Sequence, residues 1–292
     1  MTSFTDHFAP VAVDYGRHRP GYPPALYAWL ASRAPHQALA WDCATGTGQA
    51  ARGLAAHFRR VLATDASEAQ IRAAEALPGV DYRVAPDTEC PADDGSVALV
   101  TVAQALHWFN GEPFHRELRR VLSPGGLLAA WSYGRLETGV PELDALLRAL
   151  HDETLGPWWP PERRHVLNGY RDLALPFEPL ETPDFAMHRH WNLPQLLGYQ
   201  ARISHHRSTA AADLLAVTGR AHFSRLDVVS ATPAPSCAPR APSQRHLDAL
   251  ATNGGETCGL GTWSAVARCR EATGQDPLAD LAAGLAARWG DP

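Results

Sequence analysis

The chain has 292 residues, 45% of them hydrophobic, with 26 basic against 31 acidic side chains and a formal net charge of −5. That length suits one large α/β domain with insertions or a domain plus a cap, and the apolar share is enough to close a core, which excludes wholesale disorder. The charge balance offers no basic face for nucleic acid, and five cysteines without paired spacing fit neither a disulfide framework nor a zinc ribbon.

In chain order, Pro23–Ala34 (PPALYAWLASRA) reads as a short amphipathic helix with proline at its start, where a missing amide donor costs nothing. Ala38–Asp42 is a short buried strand ending on a carboxylate. A glycine turn follows, and QAARGLAAHF restores helical spacing. RRVLATD is a second strand, again closed by an acid. SEAQIRAAEAL is a helix capped by Ser67, with Gln70 three residues on. GVDYRVAP is a third strand, and the β-branched run in VALVTVAQAL has the character of a central parallel strand. EPFHRELRRVLSPGG is predicted to be a helix stopped by Pro124 and the glycine pair, with a fifth strand in LLAAWSYG. This alternation predicts an α/β, Rossmann-like fold, a mainly parallel sheet with helices on both faces and right-handed crossovers.

Beyond Gly139 the pattern changes. VPELDALLRALHDET is a helix and GPWWPPERRH is loop-like. Residues from Gln200 to about Leu260 are rich in Ala, Ser and Pro (SATPAPSCAPRAPSQ) and read as a flexible insertion. GTWSAVARCREATG and PLADLAAGLAARWG are helical again. The predicted organisation is one domain over 1–199 plus 261–292, with a cofactor-binding core at 38–134, a substrate-side cap at 140–199 and an atypical segment at 200–260. The start MTSFTDHFAP shows no signal-peptide pattern and no apolar run has the length of a membrane span, so a soluble, cytoplasmic protein is expected.

The chemistry concentrates at Asp42-Cys43-Ala44-Thr45-Gly46-Thr47-Gly48. A strand ends there and turns through two glycines into a helix, so backbone can lie against a ligand while free amides point at it. Gly46-x-Gly48-x-x-Ala51 also fits a dinucleotide fingerprint, so the bend alone is ambiguous. Asp65 closes the second strand about where an acid should accept hydrogen bonds from ribose hydroxyls; its bland alternative is a helix cap.

Four stretches carry a resemblance: FTDHFAPVAVDYGRHRPGYP, WDCATGTGQAA, VTVAQALHWF and WSAVARCREATGQDPL. In these the chain resembles the methyltransferase type 11 branch of the class I S-adenosylmethionine-dependent methyltransferases, in particular the group related to trans-aconitate methyltransferase. The resemblance implies S-adenosylmethionine as cofactor, with Asp42, Ala44, Gly46 and Gly48 along its methionine and ribose side. It implies Asp65 on the ribose hydroxyls, Ala66 beside the adenine and Asp87 toward the adenine amino group. Gln104 would flank the methionine moiety, with Tyr15 and Arg19 folding over the pocket. Against relatives, about sixty residues intervene between Tyr199 and Gly261, and the chain stops where the family continues into a final strand, so an open sheet edge is expected. Ala98 stands where an aspartate usually opens the fourth strand.

The implied reaction is methyl transfer to a small-molecule acceptor, to an oxygen of a carboxylate or hydroxyl. The alternatives are an NAD(P)-dependent oxidoreductase, which shares the bend and ribose acid, and a non-catalytic cofactor-binding remnant. A hydroxyl acceptor needs a base, for which His107 is the candidate; the other reading has His107 orienting the cofactor or packing on Trp108. Trp108, Trp131, Trp158 and Trp159 are pocket-wall candidates, with core packing the commoner role for each. His188-x-His190 and His205-His206 lack acidic or thiol partners at ligand spacing, so no metal is expected, and Cys43 lacks a partner histidine for nucleophilic work.

Overall fold

The computed structural model describes residues 21–109, 111–191, 193–203, 219–232 and 265–288. Helix α1 (Pro24–Arg33) buries Leu26, Tyr27, Leu30 and Ala31, the one-sided stripe its spacing predicts. Strands β1 (Leu39–Cys43), β2 (Arg60–Asp65), β3 (Val80–Val84), β4 (Val97–Ala103) and β5 (Leu122–Ser132) are parallel, in the order β3-β2-β1-β4-β5. Successive residues feed opposite faces. Ala40, Val61, Leu99 and Ala129 join α1 in one core, while Trp41, Leu62, Val100 and Leu128 build the other. Every residue from Val97 to Val102 is buried, which is why this strand reads as a continuous apolar run.

Helix α2 (Gln49–Leu54) links β1 to β2, α3 (Glu68–Ala73) links β2 to β3, and α4 (Leu106–Phe109) with α5 (Glu112–Val121) links β4 to β5. Ser67 caps α3 by accepting a hydrogen bond from the Gln70 amide at 3.3 Å. Helix α5 stops at Val121, just before the predicted stop at Pro124, and β5 begins at once with Leu122 opposite Val97. The reason is local. Pro124 has no amide to donate and Gly125 adopts φ +74°, so the SPGG stretch becomes an irregular opening of the strand.

The second half is built around one long strand. After β6 (Leu136–Glu137) and α6 (Pro141–Arg148) come a π-helical turn (Ala149–Thr154), a 3-10 turn (Gly156–Trp158) and α7 (Arg163–Leu167), so the predicted loop carries helical turns. β7 (Glu178–Leu180), β8 (Phe185–Trp191) and α8 (Leu193–Ile203) precede β9 (Gly219–Thr232); α9 (Ala265–Thr273) and α10 (Pro277–Ala286) close the described chain. β9 runs antiparallel to β5, β6, β7 and β8, and its Asp227–Ala231 pair with Ser132–Leu128 of β5. The edge of β5 that the sequence left open is therefore covered, by a strand from within the segment read as an insertion.

Candidate active site

In open α/β sheets ligands bind beyond the carboxyl ends of the strands, and the predicted residues gather there. Past β1 the backbone turns sharply. Ala44, Gly46 and Gly48 all lie at positive φ (+56°, +57° and +84°), and the Thr45 amide donates to the Thr64 carbonyl at 2.9 Å, tying the bend to β2. The two glycines serve different ends. A Cβ on Gly48 would run into the Tyr82 ring, whereas one on Gly46 would meet only Gln70 Oε1, 3.8 Å away. Gly48 thus admits a neighbouring side chain, and Gly46 leaves the open surface.

Asp42 is fully buried. Its Oδ2 accepts from the Thr45 hydroxyl (2.6 Å) and the Ala51 amide (3.0 Å), and its Oδ1 accepts from the Thr101 hydroxyl (2.7 Å). With no exposed surface, it braces the bend from beneath. Burial raises its carboxyl to about 6 against those three hydrogen bonds. Asp65 is partly exposed; its Oδ2 accepts from the Gly46 amide at 2.8 Å and its Oδ1 from the Ser67 amide at 2.9 Å. A carboxylate at a strand tip is the type of group that accepts from a ribose diol. Ala66, beside it, is partly exposed. Asp87 follows β3 partly buried, and burial pushes its carboxyl up to about 6.

Gln104 ends β4 in a left-handed conformation (φ +64°), a strained state for a residue with a side chain, and its amide donates to the Trp131 carbonyl at 2.8 Å. Its Nε2 and the Oε1 of Gln70 are buried with no hydrogen-bond partner among the described residues. Buried polar atoms are rarely left so, and a cofactor with hydroxyl, amino and carboxylate groups would satisfy both kinds. The residues present therefore fit an adenosyl amino acid. Trp131 is fully buried, edge-on to Tyr22 at 5.4 Å, so it forms core and does not wall a pocket. Tyr15, Arg19 and the His205-His206 pair lie outside the described residues.

His107, on α4, stacks on Tyr170 and tilts against Trp108, and its Nδ1 lies 3.0 Å from the Tyr170 hydroxyl. Burial, with the charges of His165 and Arg163, lowers its pKa to about 3. Such an imidazole is neutral at pH 7 and weakly basic. Tyr170 is completely buried at φ +59°, directly after Gly169 at +60°. Nothing in the sequence marked it. Thr45 and Thr101 were also missed, although a hydroxyl one turn after a strand-end acid is a signal that could have found Thr45. Cys43 is buried and its thiol is pushed up by burial, an inert packing role. His188 and His190 occupy β8 opposite His222 and Arg220, and among the described residues no group of three or more His, Cys, Asp or Glu could hold a metal ion.

A glycine bend braced by one acid, with a second acid at the next strand tip, defines a nucleotide-cofactor α/β enzyme. Comparison with known proteins narrows this. A family model described as "Methyltransferase domain" matches residues 41–130. A Dictyostelium discoideum methyltransferase is 33% identical over 201 residues, covering 68% of this chain and 76% of that protein. A solved structure of a type II methyltransferase from Anaeromyxobacter dehalogenans superposes with a TM-score of 0.68 at 38% identity, covering 94% of this chain and 91% of that one. A Mycobacterium tuberculosis methyltransferase is 37% identical over 115 residues, covering 39% of this chain and 46% of that protein.

The chain belongs to the class I S-adenosylmethionine-dependent methyltransferases. Membership resolves the ambiguity of the bend against a nicotinamide cofactor. Among the described residues no helix is long and apolar enough to cross a membrane.

Proposed function

We propose that the protein methylates an oxygen of a small molecule, and that this oxygen belongs to a carboxylate in preference to a hydroxyl. The observation that supports this is the state of His107. A hydroxyl acceptor must lose a proton as it reacts, and the histidine best placed by sequence has a pKa of about 3 and an Nδ1 within hydrogen-bond reach of Tyr170. A carboxylate arrives deprotonated and needs no base. S-adenosylmethionine supplies a methyl group on a cationic sulfur, already a strong electrophile.

The chain then has to position and exclude water, work that supplies several kcal/mol of a barrier. Asp65, held by the Gly46 amide, takes the cofactor's ribose end, and Gln104 orients the amino-acid end from the tip of β4. His107 positions Trp108 and Tyr170 about that tip. The partner is a small-molecule acceptor, with neither nucleic acid nor membrane involved, as the net charge of −5 supports. The test is transfer of a radiolabelled methyl group to a panel of acids and phenols. The expected product is a methyl ester that mild alkali cleaves; label retained in an alkali-stable ether or amine contradicts the proposal.

A further inference from the structure

β3 and β4 run parallel, so the chain must return from the carboxyl end of one to the amino end of the other. Over residues 85–96 it does so without a helix. An irregular path leaves backbone N–H and C=O groups without the partners a helix would give them. Two side chains on α5 supply those partners. Glu117 Oε1 accepts from the Cys90 amide at 2.6 Å. Arg120 donates from Nη2 to the Cys90 carbonyl and from Nη1 to the Ala92 carbonyl, both at 2.9 Å. The Arg120 carbonyl in turn accepts from the Gly95 amide at 2.8 Å.

Glu117 and Arg120 are also locked to each other. Nε and Nη2 of Arg120 donate to Oε2 and Oε1 of Glu117 at 2.9 and 2.7 Å, and Nη1 donates to Asp94 Oδ1 at 2.7 Å. All five guanidinium hydrogens are therefore engaged. Glu117 is buried, and its hydrogen bonds from Arg120 hold the carboxyl below the usual carboxylate range. Apolar side chains could fill that place at less desolvation cost, so what the ion pair adds is direction: a planar fork fixes where the Cys90 backbone lies.

The loop clamped in this way carries Asp87. It leaves β3 beside the site, with the Ala85 amide donating to the Asp65 carbonyl at 3.1 Å. Asp87 is partly exposed, and after burial its charge is the next cause that raises the Cys43 thiol at the tip of β1. Cys90 buries its side chain in the same apolar core as Cys43, Phe114 and Leu118. Asp87 thus sits between two fixed points, Ala85 on Asp65 and Cys90 on α5.

We propose that Glu117 and Arg120 are positioning residues for the cofactor's adenine, fixing the Cys90 backbone so that Asp87 meets the exocyclic amino group. Neither touches the ligand; both act through the intervening loop. This rests on the methyltransferase reading of the site, with S-adenosylmethionine as cofactor.

Calorimetry on the full chain tests it with S-adenosylhomocysteine and S-inosylhomocysteine, whose bases carry an amino group and a carbonyl at the same position. The wild type is expected to prefer the adenosyl ligand about 20-fold or more, since a carboxylate accepts from the amino group and repels the carbonyl. Arg120→Lys keeps a cation beside Glu117 without the planar fork, and should cut that preference to about fivefold or less. Asp87→Ala should cut it as far. The double variant should bind S-adenosylhomocysteine within about twofold of Asp87→Ala alone, because both changes remove one interaction. Backbone amides of residues 87–92 should exchange hydrogen faster in Arg120→Lys than in wild type. A lower melting temperature with the base preference intact means a structural role alone and overturns the proposal. So do losses that multiply in the double variant, or unchanged exchange at 87–92. Equal affinity of the wild type for both ligands removes the adenine role of Asp87 and the proposal with it. A wild-type chain that takes up neither ligand defeats the functional reading instead, while hydrogen exchange at 87–92 still judges the clamp.

Discussion

At the glycine bend, both carboxylates meet donors that the chain itself supplies: Thr45, Thr101 and the Ala51 amide for Asp42, and the Gly46 and Ser67 amides for Asp65. In the cap, Arg163 meets an aromatic face and a neutral histidine, and the nearby Asp152 carboxylate is paired with Arg135. The difference lies in how a charge is answered. Carboxylates met by the chain's own donors make a bend rigid before any ligand arrives, whereas a guanidinium laid on a ring face gains packing and cation–π attraction. The first region is the bend that the family model covers, and the second fixes the cap around α7.

The comparison breaks most readily at Asp42. Asp42→Ala leaves two buried hydroxyls and an amide without an acceptor and should cost about 3 kcal/mol or more in a denaturant melt. Loss of less than about 1 kcal/mol would mean that the bend does not depend on its brace. The sign of its pH dependence sharpens the point. Folding raises the Asp42 pKa from 3.8 to about 6, so the native state keeps a proton that the unfolded chain has already released. The contribution is fully present below pH 3.8 and is lost as pH rises through about 6. The stability of the wild type relative to Asp42→Asn should therefore fall across that window, by up to about 3 kcal/mol. A difference that stays flat with pH would contradict the buried, ionisable brace.

A smaller effect separates the two glycines. Gly48→Ala strains a left-handed backbone and displaces the Tyr82 ring, for an expected cost of about 2–3 kcal/mol. Gly46→Ala meets only the Gln70 side chain at contact distance and should cost about 1 kcal/mol of stability while weakening S-adenosylhomocysteine binding. If Gly46→Ala proves the more destabilising, the division between a packing glycine and a ligand-facing one is wrong.

The parallel half of the sheet was legible because its signals are local. Burial on both faces writes β4 as an unbroken apolar run, Ser67 announces the start of α3, and an acid marks the tip of β2. What escaped depends on contacts distant in the chain. Tyr170 reaches His107 across 63 residues, and Thr101 reaches Asp42 across 59. The threonine partners of Asp42 were not legible, since a strand-end acid looks the same whether its carboxylate points out to a ligand or down to threonines. The Trp/Pro-rich stretch hid Arg163 because its helical turns are short and proline-flanked. β9 was missed because pairing with four other strands, and not its own composition, makes it a strand.

The central claim is that Asp65, fixed by the Gly46 and Ser67 amides, accepts from the ribose hydroxyls of S-adenosylmethionine. Calorimetric titration of S-adenosylhomocysteine into wild type and Asp65→Ala is the direct measurement. The prediction is saturable binding by the wild type and a loss of about 30-fold or more in the variant, as expected for hydrogen bonds to a charged group. Unchanged affinity in Asp65→Ala, with the variant still folded, would contradict the account.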